Sequence, residues 1–177
     1  MITNNITMKN INPRKSRNYF FLCILALAFY CPIPLKAQTS QAEMDNNKQA
    51  VRTGFENWAH AKGSFFDLLA DSVQWTITGH TPYSKTYTSK RQFLDQVIKP
   101  LNLRLSKTIM PVVRGIYADG DMVIALWDGV ATAKDGKPYN TSYSWYMEMR
   151  NGKIFKVVAF LDGIEFADLM KRIPVDN

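Results

Sequence analysis

The chain has 177 residues, of which 22 are Lys or Arg and 15 are Asp or Glu, giving a formal net charge of +7. Five of the basic residues and none of the acidic ones fall within residues 1–37, so the rest of the chain carries a net charge of only +2. That remainder has no cluster of Lys or Arg, and its charge gives no reason to expect nucleic-acid binding.

Residues 1–37 have the order of regions that is typical of a secretory signal peptide. A basic stretch that includes Arg14 and Arg17 precedes an apolar run over 19–30, and Ala37 offers a small residue before Gln38. A retained membrane anchor is the alternative, but the run of 12 residues is short for a helix that must cross a bilayer core of ~30 Å. The sequence therefore predicts export to the periplasm or the medium, with no membrane attachment after cleavage.

Both cysteines, Cys23 and Cys31, lie in this leader. Residues 38–177 therefore have no thiol for a disulfide, a nucleophile or a metal site. The two histidines, His60 and His80, are 20 residues apart and lack the short spacing of a metal-binding pair. The sequence predicts neither a metal nor a cofactor, and a fold whose stability depends on its apolar core.

After a polar and flexible segment over 38–44, the first periodic stretch is helical. Val51, Phe55 and Trp58 recur at the spacing of one helix face. Gly63 follows this stretch and is expected to end the helix in a left-handed turn, because glycine adopts positive φ without strain.

The next elements are short. Ser64 and Asp67 have the spacing of a capping box and predict a brief second helix. The alternating pattern over 73–78 predicts a strand, the polar segment 79–87 a loop, and the apolar spacing over 93–101 an amphipathic third helix.

Three dipeptides, Asp-Gly at 119–120, Asp-Gly at 135–136 and Asn-Gly at 151–152, separate four apolar runs. Such dipeptides between alternating runs predict hairpin turns. The sequence thus predicts a four-stranded antiparallel meander, followed by a closing helix. The expected strands are 105–118, 122–134, 137–149 and 153–161, and the helix is 164–172. Strands this long should bend around the helices, giving an α+β fold with a pocket.

Several segments also match a known superfamily. They are Phe55–Trp58, Phe66–Asp71, Trp75–Gly79, Ala118–Asp121, Trp127–Gly129, Asp135–Asn140, Tyr143–Trp145, Arg150–Ile154 and Ala159–Asp162. In these segments the chain resembles the nuclear transport factor 2-like (NTF2-like) superfamily and, within it, the SnoaL-like, ketosteroid-isomerase-related proteins. The resemblance implies an NTF2-like cone, that is, a cystatin-like α+β roll whose curved antiparallel sheet wraps around the N-terminal helices. It places one domain over 45–173 and implies a homodimer.

The chain departs from the ketosteroid isomerases at their two carboxylates. The positions that correspond to the base are Thr76 or Ile77, and the position of the proton donor is close to Trp145. None of these is acidic, so the resemblance implies a protein other than a true ketosteroid isomerase. Polyketide cyclases instead place an aspartate where the last strand meets the closing helix, and Asp162 resembles that position.

Asp162 is the candidate catalytic acid or base, because a carboxylate at the end of an apolar strand is partly desolvated. The alternative is that Asp162 caps the closing helix, a position that Asp favours. Tyr143 is the candidate donor to a developing oxyanion.

The candidate ligand-binding residues are aromatic or polar side chains of the predicted helices, strands and loops. They are Trp58, Trp75, Tyr87, Trp127, Asn140, Trp145 and Phe160. Because strand side chains alternate, Tyr143 and Trp145 should share a face with Tyr139, Thr141 and Met147. The alternative for each aromatic residue is a place in the ordinary core.

Two functions fit these residues. The first is an exported domain that binds a small apolar molecule and acts as a cofactor-free enzyme of the isomerase, cyclase or lyase type, with Asp162 moving a proton. The second is a non-catalytic protein that binds a hydrophobic ligand or dimerises.

Overall fold

The structure is a computed structural model, which describes residues 40–175. The predicted signal peptide and both cysteines lie outside the described residues. The helices are α1 (Gln41–Ala59), α2 (Lys90–Phe93), α3 (Lys99–Asn102) and α4 (Gly163–Arg172), with a 3-10 turn at Phe65–Leu68 and a π-helical segment at Leu94–Ile98. The strands are β1 (Leu69–Ile77), β2 (Thr86–Tyr87), β3 (Leu105–Asp119), β4 (Met122–Ala133), β5 (Pro138–Arg150) and β6 (Lys153–Leu161). In this part of the chain no helix is long and apolar enough to cross a membrane.

The sheet contains the predicted meander. Its six strands have the order β2-β1-β6-β5-β4-β3, with β1 parallel to β6 and every other pair antiparallel. The hairpin turns lie at the three predicted dipeptides, where Gly120, Gly136 and Gly152 have φ of 56°, 82° and 70°. Residues with a Cβ rarely adopt these angles, which explains why glycine occupies each turn. The predicted α+β class and meander are confirmed.

The end of α1 differs from the prediction. The helix ends at Ala59, and Ala61 rather than Gly63 adopts the left-handed conformation, at φ 53°. The Lys62 amide donates to the Asn57 carbonyl at 2.8 Å, the six-to-one bond of a Schellman motif. The expectation for Gly63 was wrong because this bond closes the helix two residues earlier.

The predicted second helix is the 3-10 turn, and the predicted capping box is present. Ser64 Oγ accepts from the Phe66 amide at 3.2 Å, and Asp67 Oδ2 accepts from the Ser64 amide at 3.2 Å. The predicted loop over 79–87 includes β2, whose Tyr87 pairs with Trp75 of β1.

The third predicted helix is present as one continuous helical stretch. It consists of α2, the π-helical segment and α3, which follow one another without a break. The Lys99 amide donates to the Leu94 carbonyl, five residues earlier, and Pro100 has no amide hydrogen to donate. The wider π turn fits the proline ring, which clashes with the carbonyl four residues earlier in a regular α-helix.

Buried side chains alternate with more exposed ones along the whole of β5. Tyr139, Thr141, Tyr143, Trp145 and Met147 are all buried, whereas the residues between them lie on the other face. The prediction that these five share a face is confirmed. The helix α1 packs against β3 and β4, on the same side as these residues.

The helix α4 packs over one end of the core. Its residues Phe166, Leu169 and Met170 are buried, and the Phe166 ring contacts the Tyr83 ring edge-on at 5.1 Å. Arg104 Nε donates to the Met170 carbonyl at 3.1 Å. These contacts hold α4 against the end of the sheet that the candidate site occupies.

Candidate ligand-binding cavity

An internal cavity of about 60 Å³ lies between the inner face of the sheet and the helices. Its aromatic lining consists of Trp58, Phe66, Trp75, Phe93, Trp127, Tyr139, Tyr143, Trp145 and Phe166. Its aliphatic lining consists of Ile77, Val97, Ile98, Leu101, Ile109, Ala159 and Leu161. Among residues 40–175 no charged side chain lines the cavity, so the site is suited to an apolar molecule.

Trp127 is in contact with three other aromatic rings of this lining. Its ring stacks on Tyr143, with centroids 4.1 Å apart and planes 8° from parallel. Trp145 and Trp58 meet it edge-on, at 4.7 and 5.3 Å. Stacked and edge-to-face pairs are the favoured arrangements of aromatic rings, so these contacts fix the orientation of the indole.

Two buried polar atoms in this region have no hydrogen-bond partner among residues 40–175. They are Trp127 Nε1 and Thr141 Oγ1. A buried donor without a partner costs about 1–3 kcal/mol, so native proteins rarely keep one unless water or a ligand supplies the partner. Gly129 lies next to this cluster, and a Cβ there would lie 3.0 Å from the Tyr143 ring. The Trp127 indole N–H, which is a donor only, is therefore a buried donor without a partner in a residue that lines the cavity.

Tyr139 and Tyr143 add two hydroxyl groups to the same wall. Their oxygens lie 3.3 Å apart. Burial raises the pKa of the Tyr143 hydroxyl above its usual value of 10.0, although the nearby Thr141 and Tyr139 hydroxyls oppose the rise. Burial also raises the pKa of Tyr139, and Tyr143 adds to the increase. Both groups therefore keep their protons at neutral pH and can donate them in hydrogen bonds.

Five of the residues singled out from the sequence meet at this cavity. They are Trp58, Trp75, Trp127, Tyr143 and Trp145. Each also packs against neighbouring aromatic rings, so these side chains belong to the core and to the cavity lining at the same time.

Tyr87, Asn140 and Phe160 lie away from the cavity lining. The Tyr87 hydroxyl is in the core and donates to the Tyr83 carbonyl at 2.9 Å. Asn140 is exposed, and its Oδ1 accepts from a backbone amide of β4 at 3.4 Å. Phe160 is 48% exposed on the outer face of β6, against the ring of Tyr146.

Asp162 is exposed and does not line the cavity. Its Oδ1 accepts from the amides of Ile164 and Glu165, at 3.0 and 3.1 Å, and thereby caps α4. The expected desolvation is not found, because β6 ends at Leu161 and the chain then turns outward into the helix. The capping interpretation is confirmed, and a chemical role for Asp162 stays a prediction.

Apart from Trp58 of α1, the helical part of the lining was missing from the candidate residues. Phe93, Val97 and Leu101 reach the cavity from the stretch α2 to α3, and Phe166 reaches it from α4. Their helical spacing identified a buried face, but a buried face does not reveal what it packs against. Within residues 40–175 no group of three or more His, Cys, Asp or Glu side chains could hold a metal ion.

Comparison with known proteins gives the fold a name. No family profile matches the sequence, and neither does any curated protein. Among solved structures, an NTF2-like protein of unknown function from Burkholderia pseudomallei K96243 is 21% identical, with a TM-score of 0.60 over 71% of this chain and 98% of that one. The chain has the NTF2-like fold.

Two further solved structures are similar to this chain. A candidate SnoaL-like polyketide cyclase from Jannaschia sp. CCS1 is 12% identical, with a TM-score of 0.60 over 77% of this chain and 99% of that one. TerC, co-crystallised with polyporic acid, is 16% identical, with a TM-score of 0.58 over 71% of this chain and 98% of that one. The fold implied by the sequence resemblance is confirmed. Sequence identities this low do not show that the chain shares the activity of any of these proteins.

Proposed function

We propose that this NTF2-like domain binds a small apolar molecule that carries a hydrogen-bond acceptor such as a carbonyl oxygen. The observation that carries the proposal is the unpaired Trp127 Nε1, a buried donor that belongs to a residue of the mainly apolar cavity lining. A ligand acceptor would give this N–H the partner that it lacks in the described part of the chain, and the aromatic walls would hold the apolar body.

The two tyrosines support the same ligand chemistry. One hydrogen of the Tyr139–Tyr143 pair is shared between the two oxygens, which leaves the second free to donate. Tyr143 is also stacked on Trp127, so one ring of the tyrosine pair and the indole are packed directly together.

A matched pair of ligands tests the proposal. Acetone and 2-methylpropene have similar shapes, but only the ketone has an acceptor. We expect the native protein to bind the ketone more tightly, and Trp127→Phe to reduce the preference about fivefold, as loss of one hydrogen bond of ~1 kcal/mol does. Trp75→Phe replaces another indole of the same lining and is the control. Equal affinity of the native protein for both ligands would contradict the proposal.

Proton transfer that involves Asp162 is the second candidate function. It is supported by one observation: the charge of Asp162 contributes to the raised pKa of Tyr139, after the larger effects of burial and of Tyr143. Asp162→Asn keeps a good helix cap and removes the charge. If the domain is an enzyme of this type, the variant should lose turnover of a carbonyl substrate and keep its affinity. Unchanged turnover would reject the role.

We also propose that residues 1–37 direct export, on the basis of their signal-peptide pattern. A fusion of this segment to alkaline phosphatase, which is active only after export, tests the proposal. Activity should appear with the native segment and disappear when the apolar run over 19–30 is interrupted by two Asp residues. Activity in the interrupted fusion, or none in the native one, would contradict it.

A homodimer through the outer face of the sheet is the proposed assembly. Exposed apolar side chains cover this face of β3 to β6: Met110, Val112, Tyr117, Leu126, Val130, Tyr146 and Phe160. The charges between them are paired, since Arg114 Nε lies 2.5 Å from Asp128 Oδ2. A patch of this kind marks an interface. Light scattering should show that the native protein is a dimer and that the Val130→Lys variant is a monomer. A native protein that is monomeric at high concentration would exclude the homodimer.

A further inference from the structure

A surface groove adjoins the cavity and shares part of its wall. Trp58, Phe66 and Ile98 line both the cavity and a groove of about 510 Å³, which lies between the 3-10 turn and the π-helical segment. The rest of the groove is more polar and includes Lys99 and Asn102. Trp58, Phe66 and Ile98 thus form a partition between an apolar inner space and a more polar outer one.

The volume of the inner space limits what it can hold alone. At about 60 Å³ it is less than half of the ~150 Å³ of an apolar cavity that accommodates benzene. A ligand that contains a ring must therefore displace part of the lining and extend beyond the cavity. The shared partition is where such an extension reaches a second, larger space.

The backbone at the partition has fewer constraints than a regular helix. Ile98 belongs to the π-helical segment, where the Lys99 amide reaches back to Leu94 and Pro100 has no amide to donate. The side chains of Trp58 and Ile98 are only partly buried. A change of side-chain position at Ile98 can therefore join the two spaces without unfolding the sheet.

The groove presents donors that the rest of residues 40–175 leaves unpaired. The Lys99 ammonium and the Asn102 amide make no side-chain hydrogen bond or ion pair with this part of the chain. Asp95 also lines the groove, one turn before Lys99, and offsets part of the attraction of the ammonium for an anion. The groove therefore favours a ligand with a hydrogen-bond acceptor at one end. The attraction between that end group and the Lys99 ammonium is modest, because Asp95 offsets part of it.

We propose that the groove is the outer chamber of the ligand site and that Ile98 and Trp58 are its gate. The ligand is then a small amphiphile, with its apolar end in the cavity and an acceptor end group, such as a carboxylate or sulfonate, beside Lys99. This inference rests on the proposed binding of an apolar molecule, and it adds the route of entry and the second end of the ligand.

Two fluorescent probes that differ by one group test the outer chamber. 1-Anilinonaphthalene-8-sulfonate carries a sulfonate, and N-phenyl-1-naphthylamine is its neutral counterpart. Lys99→Met keeps the aliphatic stem and removes the ammonium, and it should weaken binding of the sulfonate probe about threefold, the size of an exposed ion pair. Binding of the neutral probe should not change. Lys90→Met removes a charge from the same helical stretch, outside the groove, and should affect neither probe.

The gate is tested by the rate of association. Ile98→Ala shortens the partition and should increase the association rate constant of both probes several-fold in stopped-flow fluorescence. If the native protein prefers the ketone as expected while Lys99→Met and Ile98→Ala leave probe binding unchanged, the outer chamber is ruled out and the proposed function stands. If neither probe binds the native protein, this inference is contradicted, whereas the proposed function is decided by the ketone alone.

Discussion

The indole of Trp127 and the ring of Tyr143 lie face to face, 4.1 Å apart and 8° from parallel. The two residues are direct partners in the register of β4 and β5. Because the backbone pairing fixes both Cα positions and the two rings are stacked, the indole and the phenol ring are held in a defined arrangement. A donor pair that is rigid before a ligand arrives requires little ordering when it binds, which favours affinity.

The buried tyrosines predict a loss of stability in alkali. The pKa values of Tyr139 and Tyr143 are raised in the folded protein, whereas both groups titrate near 10 when unfolded. The unfolded state therefore binds fewer protons above pH ~10, and the free energy of unfolding should fall there by up to ~1.4 kcal/mol per pH unit for each group. Urea unfolding between pH 8 and 11 measures the slope. Tyr139→Phe should reduce it, and an unchanged slope would contradict the buried environment.

The left-handed conformation of Ala61 predicts that a glycine at this position stabilises the fold. Its φ of 53° is unfavourable for a residue with a Cβ. Ala61→Gly should raise the free energy of unfolding by about 0.5–1 kcal/mol, after allowance for the greater freedom of glycine in the unfolded chain. Ala59→Gly, two residues earlier and within α1, should lower it by a similar amount. Equal effects of the two substitutions would rule out the left-handed turn.

Asp128 predicts an acid-sensitive contact on the outer face. A hydrogen bond from Ser142, at 2.6 Å, is the main cause that lowers the pKa of this carboxyl, and Arg114 contributes further. A lowered pKa stabilises the fold above the unfolded value of ~3.9 and loses its effect as pH falls through the folded pKa. Ser142→Ala should raise the carboxyl pKa in an NMR titration. A pKa that stays unchanged would show that the hydrogen bond is absent in solution.

The helix cap formed by Asp162 predicts that substitution by Ala lowers the stability of the fold more than substitution by Asn. Its carboxylate accepts two amides at the start of α4. Asp162→Ala should therefore cost about 1 kcal/mol of stability, whereas Asp162→Asn should cost only a few tenths. Thermal unfolding of both variants checks the difference. If Ala is tolerated as well as Asn, the side chain does not act as a cap.

The sequence predicted the sheet well because its signals there are local. Asn151 and Gly152 define a hairpin turn from two adjacent residues. Alternation along β5 placed Tyr143 and Trp145 on one face without reference to any other strand. The same alternation places Phe160 on the outer face, next to inward-facing Ala159, and would have removed it from the candidates.

The site itself depends on contacts between distant segments. Phe93 and Phe166 reach the cavity only through the packing of helices that the sequence pattern does not position. The outward turn of Asp162 depends on where β6 ends, and element ends are poorly defined by pattern alone. Whether Trp127 Nε1 has a partner is likewise a property of the folded core.

The most direct test of the proposed function is the indole N–H resonance of Trp127 in a ¹H–¹⁵N spectrum, assigned with Trp127→Phe. Addition of acetone should move this resonance downfield as the N–H gains an acceptor, and 2-methylpropene should cause a much smaller shift. If the ketone binds and the Trp127 resonance responds to both compounds alike, the indole is not the ligand's hydrogen-bond donor, and the account of the cavity is wrong.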